Sequence, residues 1–166
     1  MDKVAIFYGS TTGVTKEVAF EIAKALKIDQ NNVFDVAQTA PSKVGEYNNL
    51  IFGASTWGDG EMQSEMLDFL AGVSEMTLEG KKVAIFGTGD ETNEDTFCDA
   101  VGEIYEKLQD TNAKFIGSFN TDGYDFRSSK ALVDGEAVGL ILDEINHPDL
   151  TPGRISDWCA KIESEF

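Results

Sequence analysis

Positive charge is what this chain has least of. Thirteen Lys+Arg stand against 30 Asp+Glu, leaving a net charge of −17. That balance argues against nucleic acid, anionic membrane and acidic substrates as partners. It suits docking on basic protein faces, although acidity alone also serves solubility. Cysteine is scarce too. Cys98 and Cys159 are isolated, with no C-x-x-C spacing, so neither a metal site nor a disulfide framework is indicated. They read as reduced, buried thiols of a cytoplasmic protein. No apolar run approaches the ~20 residues of a membrane span, and Asp2-Lys3 leads directly into a short strand rather than a signal peptide. Pro41, Pro148 and Pro152 are the only prolines, and no low-complexity tract or internal repeat marks a boundary. The 166 residues therefore read as one domain, 1–166, and as a monomer. The lone histidine, His147, falls in a loop before the last helix and receives no role.

What the chain does have is an alternation of apolar strands and amphipathic helices. Val4–Tyr8, Leu50–Ala54 and Lys82–Phe86 are continuous apolar runs, as expected of a parallel sheet covered on both faces. Asn32–Val36 reads as a further strand, and Ala37–Asn48 is irregular. Val14, Val18, Ile22 and Leu26 recur at helical spacing, as do Met62, Met66, Phe69, Leu70 and Val73, and again Phe97, Val101, Ile104 and Leu108. A fifth strand opens at Lys114–Ser118 and resumes at Val138–Leu142, with a polar excursion, 119–137, between its halves. A structureless stretch of that length is unusual in a compact domain and is often functional. Thr151-Pro152 supplies an N-cap and a first-turn proline for a last helix facing inward through Ile155, Trp158, Cys159 and Ile162. The fold class is α/β: a three-layer, doubly wound, five-stranded parallel sheet. Ligands of such sheets bind beyond the carboxyl ends of the strands. The loops after strands one, three and four should meet there.

The first of those loops, Tyr8-Gly9-Ser10-Thr11-Thr12-Gly13-Val14-Thr15, packs four hydroxyls and two glycines into Gly9–Thr15 at a strand-to-helix junction. Free amides at a helix start favour an anion, hydroxyls add neutral donors, and Gly13 permits close approach. It reads as a phosphate cradle with no cation in it. It is not a P-loop, because Gly9 and Gly13 are too close and Val14 stands where lysine belongs; nor is it G-x-G-x-x-G, which also fails at Gly87-Thr88-Gly89. The plainer alternative is that Thr12 only caps the helix. In the second loop, Trp57 sits in a polar, glycine-rich stretch. It either folds back over the core or stacks on a planar ligand. A phosphate cradle beside an aromatic platform suggests a phosphorylated aromatic cofactor.

Three stretches now carry a resemblance. Ser10–Thr15, Ser55-Thr56-Trp57-Gly58-Asp59-Gly60-Glu61 and Gly87-Thr88-Gly89-Asp90 resemble the phosphate loop and the two flavin loops of the flavodoxins. The likeness runs end to end, and the interrupted fifth strand is similar to the long-chain subgroup. The resemblance implies strand order 2-1-3-4-5 with FMN where the first and third strands part. Ser10, Thr11, Thr12, Gly13, Val14 and Thr15 would hold the phosphate. Ser55, Thr56, Trp57, Gly58, Asp59 and Gly60 would line one side of the isoalloxazine, with Trp57 stacked on it. Thr88, Gly89 and Asp90 would meet its pyrimidine edge, Asp90 accepting from the ring N3–H. The family's usual tyrosine after Gly-Asp is missing. Asn93 lies nearest its place, and Phe97 would substitute only by leaving the buried stripe that its spacing fits better. Losing one aromatic stack removes about 1 kcal/mol.

The resemblance further implies a low-potential one-electron carrier working between semiquinone and hydroquinone. Its partners would be basic-faced redox proteins such as flavodoxin/ferredoxin-NADP reductase, pyruvate oxidoreductase or nitrogenase systems. The Gly58 peptide would turn over to accept the reduced flavin's N5–H, since a glycine reaches φ > 0 cheaply. Asp59, Glu61, Asp90, Glu91, Glu94 and Asp95 are all expected near the ring; Glu94 and Asp95 also suit a helix start. One carboxylate at ~8 Å and an effective dielectric near 20 disfavours an anionic flavin by roughly 2 kcal/mol. That is about 90 mV for one electron. A flavodoxin-like NAD(P)H:quinone oxidoreductase is the enzyme alternative, but no basic cluster adjoins the flavin loops. A phosphoacceptor receiver lacks its acidic pair, and a flavin-free scaffold sits poorly with three intact loops.

Overall fold

The computed structural model describes residues 3–166. In chain order the elements are β1 Val4–Gly9, α1 Val14–Leu26, β2 Val33–Asp35, β3 Asn49–Trp57, β4 Glu61–Met62, α2 Ser64–Val73, β5 Lys82–Thr88, α3 Asp99–Lys107, β6 Lys114–Phe115, β7 Leu132–Val133, β8 Glu136–Ala137, β9 Leu140–Leu142 and α4 Thr151–Glu165. Short 3₁₀ turns fill the irregular 36–46 stretch.

The parallel sheet runs β2-β1-β3-β5, and β6 and β9 both pair with the far side of β5. Lys82 opposes Lys114 and Phe86 opposes Leu140, so the two pieces are one fifth strand with a gap, as the sequence predicts. Every residue of β1 is buried because helices cover both faces. Ala5 and Phe7 face a core built with Phe52, Phe69, Leu70 and Ile104. Ile6 and Tyr8 face the other, with Val18, Ile22, Phe86, Trp158 and Ile162. The Trp158 indole donates to Gly117 O at 2.8 Å, which seats α4 beside the gap. No described helix is long and apolar enough to cross a membrane.

Four expectations need correction. The second loop is largely strand: β3 continues through Trp57 and folds back on β4, Trp57 opposite Glu61. Val14 begins α1 but is 36% exposed, and the inward stripe is Thr15, Val18, Ala19, Ile22 and Ala23. Thr151 is inside α4 rather than its cap, and its hydroxyl bonds Glu144 instead. The excursion 119–137 is not structureless. β7 and β8 form a hairpin, Phe119 bridges Ala137, and Lys130 N–H donates to Asp99 Oδ1 at 2.8 Å at the start of α3.

Candidate functional site

The loops after β1, β3 and β5 converge at the carboxyl edge of the sheet, as their positions require. The first is folded by its own serine: Ser10 Oγ accepts from Gly13 N–H at 3.1 Å and Lys16 N–H at 3.3 Å. Gly13 caps α1 with φ 96°, and a Cβ there would meet nothing within 4 Å. The need for glycine is thus conformational, not one of space, and Thr12 is not the cap. Thr15 is buried, its hydroxyl paired with that of Thr88 at 3.1 Å, so it ties this loop to β5. Thr11 Oγ1 accepts from Gln63 Nε2 at 3.5 Å. The Ser10 and Thr11 hydroxyls are oriented as acceptors and keep their own O–H groups to donate, beside the helix-start amides. The N–H groups of Thr11, Thr12 and Val14 find no acceptor among the described residues, at the positive end of a helix.

Beyond the loop lies an open cleft of ≈ 380 Å³, a size typical of cofactor sites. Thr12 and Val14 line one end, then Ser55, Thr56, Trp57 and Gly58, then Thr88, Gly89, Asp90 and Asn93, and last Glu144 and Ile145. Trp57 is 43% exposed with its ring at the cleft, so it does not cap the core. Ser55 Oγ is buried without a partner, a donor waiting on a ligand. The Thr56 hydroxyl accepts from Ala100 N–H at 3.0 Å, capping α3. Gly60 N–H closes the turn on Trp57 O at 3.1 Å, with Gly58 at φ 51° and Asp59 exposed at its tip.

The far wall is built differently. Asp90 Oδ1 accepts from Thr92 N–H, Thr92 Oγ1–H and Asn146 Nδ2–H. The Thr92 hydroxyl, first among these, holds the Asp90 carboxyl below its usual range, so the group is a fixed anion. Its stabilising bonds persist above the ordinary carboxylate range and are lost only as pH falls through that lowered value. Asp143 is fully buried and takes four N–H donors: Ile145 and Asn146 backbone on Oδ1, Glu91 backbone and the Asn146 amide on Oδ2. His147 Nε2 lies 3.2 Å from Glu91 Oε2, so the histidine left without a role braces this wall. Burial raises the Glu91 pKa, with His147 opposing the shift. Glu91, Asp143 and His147 approach within 4.8 Å, but both Asp143 oxygens are already committed to N–H groups.

Two more expectations fall here. Phe97 is 1% exposed and packs on Tyr124 and Phe126 at ring-centroid distances of 6.0 and 5.1 Å, so it belongs to the core and not to the cleft. The acidic rim is also smaller than its sequence suggests. Glu91 is turned inward, and Glu94 and Asp95 both pair with Arg127 of the excursion instead of starting α3. Glu144 joins the rim in their place; it and Ile145 lie in no recognisable motif and are placed only by tertiary structure.

A family model described as Flavodoxin matches residues 6–158. The chain is 42% identical over 165 residues to a flavodoxin of Nostoc sp., covering 99% of this chain and 97% of that one. It is 39% identical to a flavodoxin of Haemophilus influenzae, covering 98% and 95%. Among solved structures, Fusobacterium nucleatum flavodoxin bound to flavin mononucleotide superposes with a TM-score of 0.93 at 32% identity, over 100% of this chain and 99% of that one.

Proposed function

The chain belongs to the flavodoxin family, and from that premise we propose that it is a low-potential one-electron carrier holding FMN non-covalently, not an enzyme. The observation that carries this reading is the conjunction in one cleft of free helix-start amides, the exposed Trp57 ring and the unpartnered Ser55 hydroxyl. Bound FMN supplies a heterocycle that takes up electrons singly; everything else is the protein's.

The free amides of Thr11, Thr12 and Val14 would hold the phosphate, and the exposed Trp57 ring would stack on the flavin. Asp90, kept ionised by Thr92 and Asn146, accepts from the ring's N–H edge through its remaining oxygen. Gly58, already at φ 51°, sits where its peptide turns over with little strain. Asp90 and Glu144 line the cleft, and Asp59 and Glu61 stand beside its Gly58 and Trp57; this negative charge disfavours adding more and lowers the potential. No Lys or Arg lines the cleft, which disfavours the quinone-reductase alternative and its adenosine-phosphate cofactor.

Finer features belong to the same reading. The gapped fifth strand supports the long-chain subgroup, and residues 1–166 act as one monomeric domain. Free, buried Cys98 and Cys159 suit a reducing cytoplasm. The acidic rim docks on basic faces of redox partners, of which flavodoxin/ferredoxin-NADP reductase, pyruvate oxidoreductase and nitrogenase systems are the classes proposed. The test is the absorption spectrum of the purified chain during stepwise dithionite addition. Two resolved one-electron steps are expected. A protein that stays colourless with added FMN, or bleaches in a single two-electron step, overturns the reading.

A further inference from the structure

We propose that Ile145 covers the outer face of the bound flavin, opposite Trp57; this rests on the FMN reading above. Ile145 is 70% exposed, the most exposed large apolar side chain among the described residues, and it lines the same cleft as Trp57 and Asn93. A single exposed isoleucine ordinarily needs no explanation. This one has two further properties.

The first is placement. β3, β5 and β9 are neighbours in the sheet. Trp57 ends β3, Asn93 follows β5, and Ile145 comes three residues after β9. The sheet order thus sets Trp57 and Ile145 on opposite sides of the β5 loop, and both side chains line the cleft. Asn93, at the position nearest the family's missing tyrosine, is polar and offers little apolar surface to a ring.

The second is rigidity. Ile145 rides on a turn that cannot swing freely. Asp143 Oδ1 accepts from Ile145 N–H at 3.0 Å, and His147 N–H donates to Asp143 O at 3.1 Å. Asn146 Nδ2 ties the turn to Asp90 at 2.8 Å, and His147 ties it to Glu91. An apolar side chain held in water by this many polar braces is pre-ordered, so burying it under a ring loses little further freedom. Its contribution is van der Waals contact and exclusion of water from the ring face, not a hydrogen bond.

The test titrates the full-length, flavin-free chain with FMN, comparing the parent with Ile145→Ala, Ile145→Phe and the control Leu67→Ala. Ile145→Ala should weaken binding about fivefold and blur the vibronic structure of the flavin's visible band, which fades as the ring is wetted. Ile145→Phe should bind at least as tightly as the parent with the band kept sharp, and Leu67→Ala, at an exposed apolar side chain of α2 outside the cleft, should change affinity less than twofold. Circular dichroism should match in all four, since both positions are exposed. Ile145→Ala and Ile145→Phe both within twofold of the parent, with unaltered spectra, would overturn the proposal alone. Failure of the parent itself to take up FMN would overturn it together with the reading beneath it.

Discussion

The two walls of the cleft are made by different means. The wall after β1 and β3 owes its turns to local bonds: Ser10 bonds Gly13 and Lys16, and Gly60 bonds Trp57, all within six residues. The wall after β5 and β9 is assembled from distant pieces. Asp143 holds Glu91 across 52 residues, Asn146 reaches Asp90 across 56, and Arg127 reaches Glu94 across 33. The turns of the first wall close on themselves, and Thr15, Thr11 and Thr56 then anchor it to Thr88, Gln63 and Ala100. The second exists only once the sheet has brought its parts together.

The sharpest break of this contrast is Asp143→Ala. It strips the acceptor from the buried Glu91 N–H and from three half-buried donors of Ile145 and Asn146, and should lower unfolding free energy by about 3 kcal/mol in urea denaturation. Trp57→Ala is the local counterpart. It should leave that stability within about 0.5 kcal/mol but weaken FMN binding by about 1.5 kcal/mol, roughly tenfold, in a titration. Thr15→Val removes the strut between the phosphate loop and β5, and a loss of about 1 kcal/mol is expected by thermal unfolding. Arg127→Ala sits at the small end. Its exposed pairs with Glu94 and Asp95 should be worth less than about 0.5 kcal/mol. Yet the uncovered carboxylates should speed association with a basic partner at low salt and steepen its salt dependence.

The same contrast explains what was legible beforehand. The strands, the split fifth strand and the helix stripes follow from continuous apolar runs and the 3.6-residue period, while the strand order is implied by the resemblance to the flavodoxins. Loop 9–15 and Trp57 announce themselves by composition within a few positions. Phe97 was ambiguous because its helical spacing could not reveal Tyr124 and Phe126 waiting to cover it. Glu94 and Asp95 look like a free acidic rim until Arg127 arrives from the excursion. Ile145 and His147 carry no local signal at all: one exposed isoleucine and one loop histidine gain meaning only from Asp143, Asp90 and Glu91.

β6 and β9 are each registered directly on β5. Covalent continuity across residues 116–139 is therefore not what sets the sheet's alignment. New chain ends opened at the exposed Asp122-Gly123 turn would leave both segments on the same template strand. That loop is accordingly where a circular permutant, or a tethered second redox module, is best tolerated.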